Sequence, residues 1–568
     1  MRVEVLPAQE GDYQLKDYDE MKQSFTWDKL KDAFAWNQTG KVNIAYEAID
    51  RHAESDKKNK AALLFSDGTR RESYTFIEMK RQSNKVANVL KEIGIKKGDR
   101  VFTLMPRSPE LYFSIFGILK TGAVVGTLFE AFVEDAIVTR LSDSDATALI
   151  TTKSLLSKVP VDKLPSLRYV LVIGDDITED GKYFDFKRRI DEASSEFEIE
   201  WLQLNDGMIL HYTSGSTGKP KGIYHVHNAM IQIYATAKWV LDLNDRDVYW
   251  CTADPGWITG TMYGVFAPWL LGATNVVFGG RFNPSKWYET IENFKVTVWY
   301  SVPSAFRMLM GAGDEFVEQY NLQSLRHILS AGEPLNREII RWGLKVFKHR
   351  IHDTWLMTET GAIMISNFPS MPIKPGSMGK PLPGIEAAIV NDEGEELPAY
   401  HHGNIAIKCG WPAMMKTVWN DDERYETYFT KNDWFLSGDS GYMDDEGYFW
   451  FQGRVDGVIT TSGERVGPFE IEKKLLEHPA VAEAGVIGKP DRERGEVIKA
   501  FISLKPGYNG SSELEEEIKR FIQKNLSRQA VPHEIEFRDK LPKTRSGKII
   551  RRVLKTWELN LPDEEKQE

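Results

Sequence analysis

One short stretch of the sequence gives the strongest indication of the fold: Tyr212-Thr213-Ser214-Gly215-Ser216-Thr217-Gly218-Lys219-Pro220-Lys221-Gly222. The apolar run at 208–212 predicts a strand that leads into a short loop. Glycines let backbone N–H groups approach a phosphate, hydroxyls add donors, and lysines add positive charge. The loop is not a Walker A sequence, because Pro220 stands where that pattern needs its second glycine. The stretch therefore predicts a strand followed by a phosphate-binding loop, and the alternative is a flexible turn with solvated lysines.

Helical and strand patterns alternate on both sides of this loop. Residues 74–145 have the order expected of a parallel sheet with helices on both faces, and the rhythm returns at 146–175, 245–310 and 325–356. From about residue 375, glycines, prolines and short strands indicate a smaller, mostly β subdomain. We expect an α/β fold with an N-terminal domain at 1–455. A small mobile α+β domain at 456–568 would end in a charged, disordered tail.

Length, charge and cysteine content narrow the class of protein. A chain of 568 residues is too long for a single core, so at least two domains are expected. The net charge of −11 argues against general nucleic-acid binding. The two cysteines, Cys251 and Cys409, cannot build a disulfide framework or a cysteine metal cluster. We predict a cytoplasmic protein without a signal peptide, a membrane span or a nucleic-acid partner.

Four further motifs follow the loop in the order found in one enzyme superfamily. They are Thr358-Glu359-Thr360-Gly361, Ser437-Gly438-Asp439, the segment 453–465, and Pro542-Lys543-Thr544-Arg545-Ser546-Gly547-Lys548. With the loop at 212–222 they resemble the adenylate-forming enzymes, which include acyl-CoA synthetases, luciferases and peptide-synthetase adenylation domains. Residues 251–257, 351–355 and 542–548 are most similar to the bacterial acetyl-CoA synthetase branch. The resemblance implies that ATP, Mg²⁺, coenzyme A and a small carboxylic acid bind.

The resemblance assigns the catalytic group to three residues. Lys548 would bridge the carboxylate and the α-phosphate during adenylation, where a fixed ammonium stabilises the negative charge of the transition state. Glu359 would bind Mg²⁺ on the phosphates, since a hard cation prefers oxygen ligands. Thr213, at the start of the loop, completes this group. Without the motif, Lys548 would be one cation in a solvated basic tail.

The resemblance also assigns nucleotide and coenzyme A contacts. The residues are Ser214, Gly215, Ser216, Thr217, Gly218 and Lys219 on the phosphates; Gly332, Glu333, Pro334, Asp353, Thr354 and Trp355 around the adenine; Thr358 in the metal motif; Asp439, Arg454 and Arg465 on ribose and phosphate; and Ser462 and Gly463 at the pantetheine tunnel.

Two C-terminal residues carry more specialised expectations. The resemblance implies that Asp456 is the hinge about which the C-terminal domain rotates between adenylation and thioester formation. A hinge is a few residues that absorb a large change in φ and ψ. Gly457 follows it where many relatives have a second acid. His478 matches a position that contacts a structural cation in some relatives, and the alternative is a histidine that merely ends a helix.

The resemblance assigns the acyl pocket to Ile258, Thr259, Ala331 and Leu356. Acetyl-CoA synthetases usually have a tryptophan where this chain has Leu356, so a deeper pocket could admit propionate, butyrate or isobutyrate beside acetate. Refilling of that space by neighbours would keep acetate preferred. The motifs would also suit an adenylation enzyme that loads a carrier protein, or a nucleotide-binding relative that has lost catalysis. Acetylation of Lys548 by a protein acetyltransferase, reversed by a deacetylase, would remove the charge that adenylation needs.

Overall fold

The structure is a computed structural model that describes residues 4–214, 220–457, 459–461, 464–491, 495–526, 530–543 and 549–559. Two compact units emerge from its internal contacts: Met1–Pro375 with Gly379–Ile385 and Cys409–Thr427, and Gly376–Met378 with Glu386–Lys408 and Tyr428–Glu568. By these contacts the small β subdomain belongs to the second unit. The predicted domain boundary at Asp456 stays a prediction.

A nine-stranded sheet runs through the first unit. Its order is Lys380–Pro381, Ile365–Ser366, Ile351–Trp355, His327–Ser330, Val298–Ser301, Val248–Cys251, Thr274–Phe278, Ala61–Ser66 and Arg71–Thr75. The strands from Ile351–Trp355 to Ala61–Ser66 are parallel, and the outer strands pair antiparallel. Strands such as Val298–Ser301 are buried along their whole length, as expected where helices cover both faces.

An eight-stranded sheet forms the other half of this unit. Its order is Thr417–Val418, Pro220–Val226, Gly207–Ser214, Val124–Leu128, Arg100–Leu104, Ala148–Thr152, Tyr169–Ile173 and Tyr183–Asp185. Its strands are parallel from Gly207–Ser214 onward. The two large sheets with their helices confirm the predicted α/β class.

Helices of the first unit connect and cover these sheets. The α-helices are Tyr18–Ser24, Trp36–Thr39, Arg51–Ala53, Phe76–Glu92, Pro109–Lys120, Glu134–Asp143, Lys153–Leu156, Phe186–Glu192, Ala229–Trp239, Ile258–Thr261, Ala267–Leu270, Pro284–Phe294, Pro303–Ala312, Arg337–Val346 and Asp422–Glu426. Short 3₁₀-helices lie at Trp27–Ala33, Val161–Lys163 and Asp314–Gln319, and π-helical turns lie at Tyr46–Asp50 and Met262–Phe266.

The helix Phe76–Glu92 shows how local sequence sets these elements. Its N-cap is Thr75, whose side chain accepts from the Glu78 N–H while Glu78 Oε2 accepts from the Thr75 N–H at 2.8 Å. This capping box satisfies backbone donors that the first turn leaves unpaired. Its buried face meets the helix Pro109–Lys120 at Gly117, where a Cβ would lie 2.5 Å from Val86 Cβ. The glycine therefore permits the close helix contact.

The second unit contains two smaller sheets. One is antiparallel, in the order Ala387–Val390, Gly403–Lys408, Trp434–Met443 and Phe449–Arg454. The other joins Glu464–Val466, Ile459–Thr461, Gly495–Leu504 and Val481–Asp491, with Glu534–Phe537 added parallel to Gly495–Leu504. Helices lie at Pro468–Leu476, Ser512–Asn525 and Arg551–Leu559, after a 3₁₀ turn at Val455–Gly457. In the described part of the chain, no helix is long and apolar enough to cross a membrane.

Candidate active site

Two strands that pair as a β-hairpin flank the predicted phosphate loop. Strands Gly207–Ser214 and Pro220–Val226 pair antiparallel, with Tyr212 opposite Gly222 and Thr213 opposite Lys221. The predicted strand before the loop is confirmed, and a second strand follows the loop. Residues 215–219, which include five of the predicted phosphate contacts, lie outside the described residues. The last residue of the first strand, Ser214, is described only in its backbone.

An ion pair joins this hairpin to the Thr-Glu-Thr-Gly motif. Lys221 Nζ lies 2.8 Å from Glu359 Oε1, and the two side chains are 15% and 5% exposed. A carboxylate so far removed from water needs a compensating cation. The expected metal ligand, Glu359, is therefore already paired with a positive charge, the Lys221 ammonium group. Lys221 is not among the predicted site residues, although it is part of the loop motif.

The turn at 358–361 is fixed on several sides. His225, on the second hairpin strand, contacts the Thr358 carbonyl oxygen through Nε2 at 2.8 Å, and Trp411 Nε1 donates to the Thr360 carbonyl at 2.9 Å. Burial lowers the pKa of His225 to about 4, so its ring is neutral at pH 7. Gly361 has φ 72°, and a Cβ there would lie 2.2 Å from the Ala413 carbonyl oxygen. These contacts hold the Glu359 backbone next to the hairpin.

The adenine candidates lie at the carboxyl edge of the nine-stranded sheet. Asp353, Thr354 and Trp355 end the strand Ile351–Trp355 and are at most 9% exposed. The Thr354 hydroxyl donates to the Ser330 carbonyl at 2.8 Å and contacts the Tyr300 hydroxyl at 2.6 Å. Because its hydroxyl is bonded within the sheet, Thr354 would present mainly its backbone to a ligand.

The neighbouring strand delivers the second adenine segment to the same edge. His327–Ser330 pairs parallel with Ile351–Trp355, and Ser330 is opposite Asp353. Gly332, Glu333 and Pro334 follow directly, with Gly332 at φ 87°. Glu333 Oε2 lies 2.6 Å from Arg307 Nη2, which fixes this carboxylate against the helix Pro303–Ala312. The carboxyl ends of parallel strands are where open α/β sheets bind ligands.

The acyl-pocket candidates begin at that edge as well. Ala331 and Leu356 are the first residues after the paired strands His327–Ser330 and Ile351–Trp355, and Ala331 is fully buried while Leu356 is half-buried. Ile258, 8% exposed, and Thr259 open the helix Ile258–Thr261, which follows the strand Val248–Cys251 of the same sheet. The four residues are therefore carried by elements of one sheet edge.

The ribose candidates of the second unit form a cross-strand pair. Asp439 on Trp434–Met443 is opposite Arg454 on Phe449–Arg454, and Asp439 Oδ1 lies 2.8 Å from Arg454 Nη1. Arg454 also donates to the Ser437 carbonyl at 3.2 Å. The side chain of Asp439 is 11% exposed and that of Arg454 is 44% exposed, so the arginine faces outward.

The remaining C-terminal candidates are described only in part. Asp456 lies in the 3₁₀ turn Val455–Gly457, and Arg465 lies in the strand Glu464–Val466. Only the backbone of each residue is described. Ser462, Gly463 and Lys548 lie outside the described residues. On either side of 544–548, Lys543 and Ile549 form an antiparallel bridge, and the Ile550 N–H donates to the Pro542 carbonyl at 2.9 Å. Arg551 then binds the buried Glu472 through Nε and Nη2.

His478 is placed where it closes a helix. It is 3% exposed, its Nδ1 accepts from the Ala480 N–H at 3.3 Å, and its ring packs edge-on against Phe521. Its Nε2 lies 3.4 Å from Glu517 Oε1. Among the described residues, no cluster of three or more His, Cys, Asp or Glu side chains could hold a metal ion. The metal contact of His478 stays a prediction.

Two family models cover most of the chain. Residues 49–419 match the AMP-binding enzyme family, and residues 470–548 match the C-terminal domain of AMP-binding enzymes. Acetyl-coenzyme A synthetase of Bacillus subtilis is 62% identical over 563 residues, 99% of this chain and 98% of that protein. The Methanothrix thermoacetophila protein of the same name is 39% identical over 92% of this chain and 84% of its own length.

Solved structures agree with these matches. The crystal structure of Brucella canis acyl-CoA synthetase aligns with a TM-score of 0.76 at 34% identity, over 96% of this chain and 99% of that one. An anthranilate–CoA ligase in complex with anthranoyl-AMP aligns with a TM-score of 0.82 at 32% identity, over 91% and 97% of the two chains. The motifs, the sheets and the sequence similarity over nearly the full length lead to one conclusion: the chain belongs to the family of AMP-binding enzymes.

Proposed function

We propose that this protein is an AMP-forming acetate–CoA ligase, which makes acetyl-AMP from acetate and ATP and then transfers the acetyl group to coenzyme A. The observation that carries the proposal is the extensive identity to proteins named acetyl-coenzyme A synthetase. The 2.8 Å contact between Lys221 and Glu359, which joins the phosphate hairpin to the metal motif, supports the ATP site.

The buried carboxylate of Glu359 fits a magnesium ion. Mg²⁺ prefers carboxylate oxygens and shares them with substrate phosphates. Glu359 already faces a cation in Lys221, so a positive charge fits its surroundings. When bound, Mg²⁺ screens the negative charge of the phosphates. Lys221 and the loop that follows Thr213 would then contact the phosphate oxygens.

In the first step, an acetate oxygen attacks the α-phosphorus of ATP, and the bond to pyrophosphate breaks. The protein supplies positioning and charge stabilisation, as phosphoryl-transfer enzymes do. Lys548 would stabilise the charge that builds between carboxylate and α-phosphate. The adenine would lie against Gly332–Pro334 and Asp353–Trp355, and the ribose hydroxyls would donate to Asp439.

In the second step, the coenzyme A thiolate attacks the acyl carbon, and AMP leaves with the electrons of the acyl–oxygen bond. The enzyme needs no side-chain nucleophile. Rotation about Asp456 would withdraw Lys548 and bring Ser462 and Gly463 to the pantetheine chain. Leu356, with Ile258, Thr259 and Ala331, would set which acid fits.

Pyrophosphate exchange tests the proposal. Lys548→Ala should reduce acetate-dependent exchange by at least ~10²-fold, the cost of one preorganised charge donor. The same variant should still convert synthetic acetyl-AMP and coenzyme A to acetyl-CoA. Arg520→Ala, on the exposed face of Ser512–Asn525, is the matched control and should leave both reactions unchanged. Near-normal exchange in Lys548→Ala would refute the role of this lysine, and absence of exchange in the wild-type protein would refute the function.

A further inference from the structure

A carboxylate outside every sequence motif ties the phosphate hairpin to the rest of the first unit. We propose that Asp143 is a positioning residue for nucleotide binding, which it serves by holding both strands of the hairpin. The inference rests on the proposed function, since it concerns the same ATP site. Asp143 is the last residue of the helix Glu134–Asp143, and no motif of the sequence includes it.

The first strand is held through a side-chain hydrogen bond. The Tyr212 hydroxyl donates to Asp143 Oδ2 at 2.5 Å, and Tyr212 is 6% exposed. Burial, and then the hydrogen bond to Asp143, raises the pKa of Tyr212, so the phenol keeps the proton that it donates. Hydrogen bonds to a carboxylate are shorter and stronger than neutral ones. The bond therefore fixes the strand immediately before the loop.

The second strand is held through the Asp143 backbone. The Asp143 carbonyl accepts from Trp419 Nε1 at 3.1 Å and from Asn420 Nδ2 at 2.9 Å. The Trp419 N–H in turn donates to the Gly222 carbonyl at 2.7 Å. A Cβ at Gly222 would lie 3.0 Å from Trp419 Cβ, so the Gly222 backbone lies close to the base of the Trp419 side chain. One residue thus controls the position of both hairpin strands.

The register of the two hairpin strands shows which residues near the loop these hydrogen bonds position. Tyr212 and Gly222 are opposite each other, and the next pair toward the tip is Thr213 and Lys221. Successive side chains of a strand point to opposite faces, about 3.3 Å apart along the chain. Tyr212 therefore faces Asp143, while Thr213 and Lys221 face the other side, where Lys221 meets Glu359. Asp143 acts through the hairpin, not by contact with the nucleotide.

Calorimetric titration with Mg-ATP tests this inference without requiring turnover. Tyr212→Phe removes only the donor, and we expect the Kd for Mg-ATP to rise about tenfold, the effect of one lost hydrogen bond to a charged group. Asp143→Asn keeps an acceptor and should have a smaller effect. Tyr74→Phe is the matched control, because Tyr74 donates to Glu72 Oε2 at 2.6 Å on the edge strand Arg71–Thr75. Its Kd should equal that of the wild type.

Kinetics separate positioning from a general loss of structure. In Tyr212→Phe, the KM for ATP in pyrophosphate exchange should rise, while the KM for acetate and the conversion of synthetic acetyl-AMP stay unchanged. An unchanged Kd and KM for ATP would overturn the inference, and so would an equal fall in both half-reactions. If the wild type binds Mg-ATP but exchanges no pyrophosphate, the proposed function fails while the Kd comparison still decides the role of Asp143. A wild type that does not bind Mg-ATP would overturn both.

Discussion

Replacing Glu359 with glutamine should separate the stability of the candidate site from its catalysis. The wild-type carboxylate is 5% exposed and lies 2.8 Å from Lys221 Nζ. Glutamine keeps the shape and a carbonyl acceptor but removes the charge. The substitution therefore removes the carboxylate that lies 2.8 Å from the Lys221 ammonium group, which is 15% exposed.

The structure sets the size of both effects. Removing one partner of a fully buried ion pair costs about 3–5 kcal/mol. Lys221 retains some contact with water, and the glutamine oxygen can still accept, so we expect about 2–3 kcal/mol for Glu359→Gln. Pyrophosphate exchange should fall by ~10²–10³-fold, because the expected magnesium ligand is lost. The double variant Lys221→Met/Glu359→Gln should regain most of the stability but none of the exchange activity.

Urea unfolding of the ligand-free protein, followed by tryptophan fluorescence, measures the first effect, and the exchange assay measures the second. Glu134→Gln, which breaks an exposed pair with Lys163, is the control and should shift neither. If the double variant is no more stable than Glu359→Gln, an uncompensated charge is not the cause of the loss. If Glu359→Gln exchanges pyrophosphate normally, the carboxylate is not the magnesium ligand.

Three further changes probe the pocket and the interior. Leu356→Trp should lower kcat/KM for propionate relative to acetate by ~10–200-fold, the discrimination expected for one methylene, and an unchanged ratio would show that Leu356 does not border the acid. Lys120→Met should lower the free energy of unfolding in urea by about 3–5 kcal/mol, because it leaves a buried carboxylate without its cation. Lys120 Nζ lies 2.7 Å from Asp50 Oδ1, and the two side chains are 0% and 2% exposed. A loss below about 1 kcal/mol would contradict this. Burial lowers the pKa of His211 from 6.5 to about 3, so the unfolded chain binds a proton that the folded chain does not as pH falls from 6.5 to 3. The free energy of unfolding should therefore decrease as the pH is lowered through that window. His211→Gln should reduce the slope of this free energy against pH by up to ~1.4 kcal/mol per pH unit, and identical slopes would refute a neutral His211.

Much of the first unit follows from local patterns. The alternation of helices and strands predicted over residues 74–145 is present, with the helix Phe76–Glu92 followed by the strand Arg100–Leu104. Such predictions succeed because burial on one face of a helix, or on both faces of a parallel strand, dictates the spacing of apolar residues. The strand before the phosphate loop was predicted in the same way. The strand after it was not, because the polar residues Lys221 and His225 interrupt its apolar pattern.

Partners distant in the chain could not be predicted. Asp143 ends a helix like many other acids, and only the packing of that helix brings it to Tyr212. The grouping of Glu386–Lys408 with the C-terminal residues likewise depends on contacts between strands far apart in sequence.

Features that depend on residue type and short-range order were therefore present in the linear chain: the candidate phosphate loop, the acid of Thr358-Glu359-Thr360-Gly361 and the alternation of strands and helices. Tertiary structure alone decided which charges meet. Lys221 compensates Glu359, Lys120 compensates Asp50, and Asp143 holds the hairpin, since an ion pair or hydrogen bond depends on distances that folding sets. Local periodicity records which face of an element is buried, but it carries no information about the side chain that a distant segment will bring to that face.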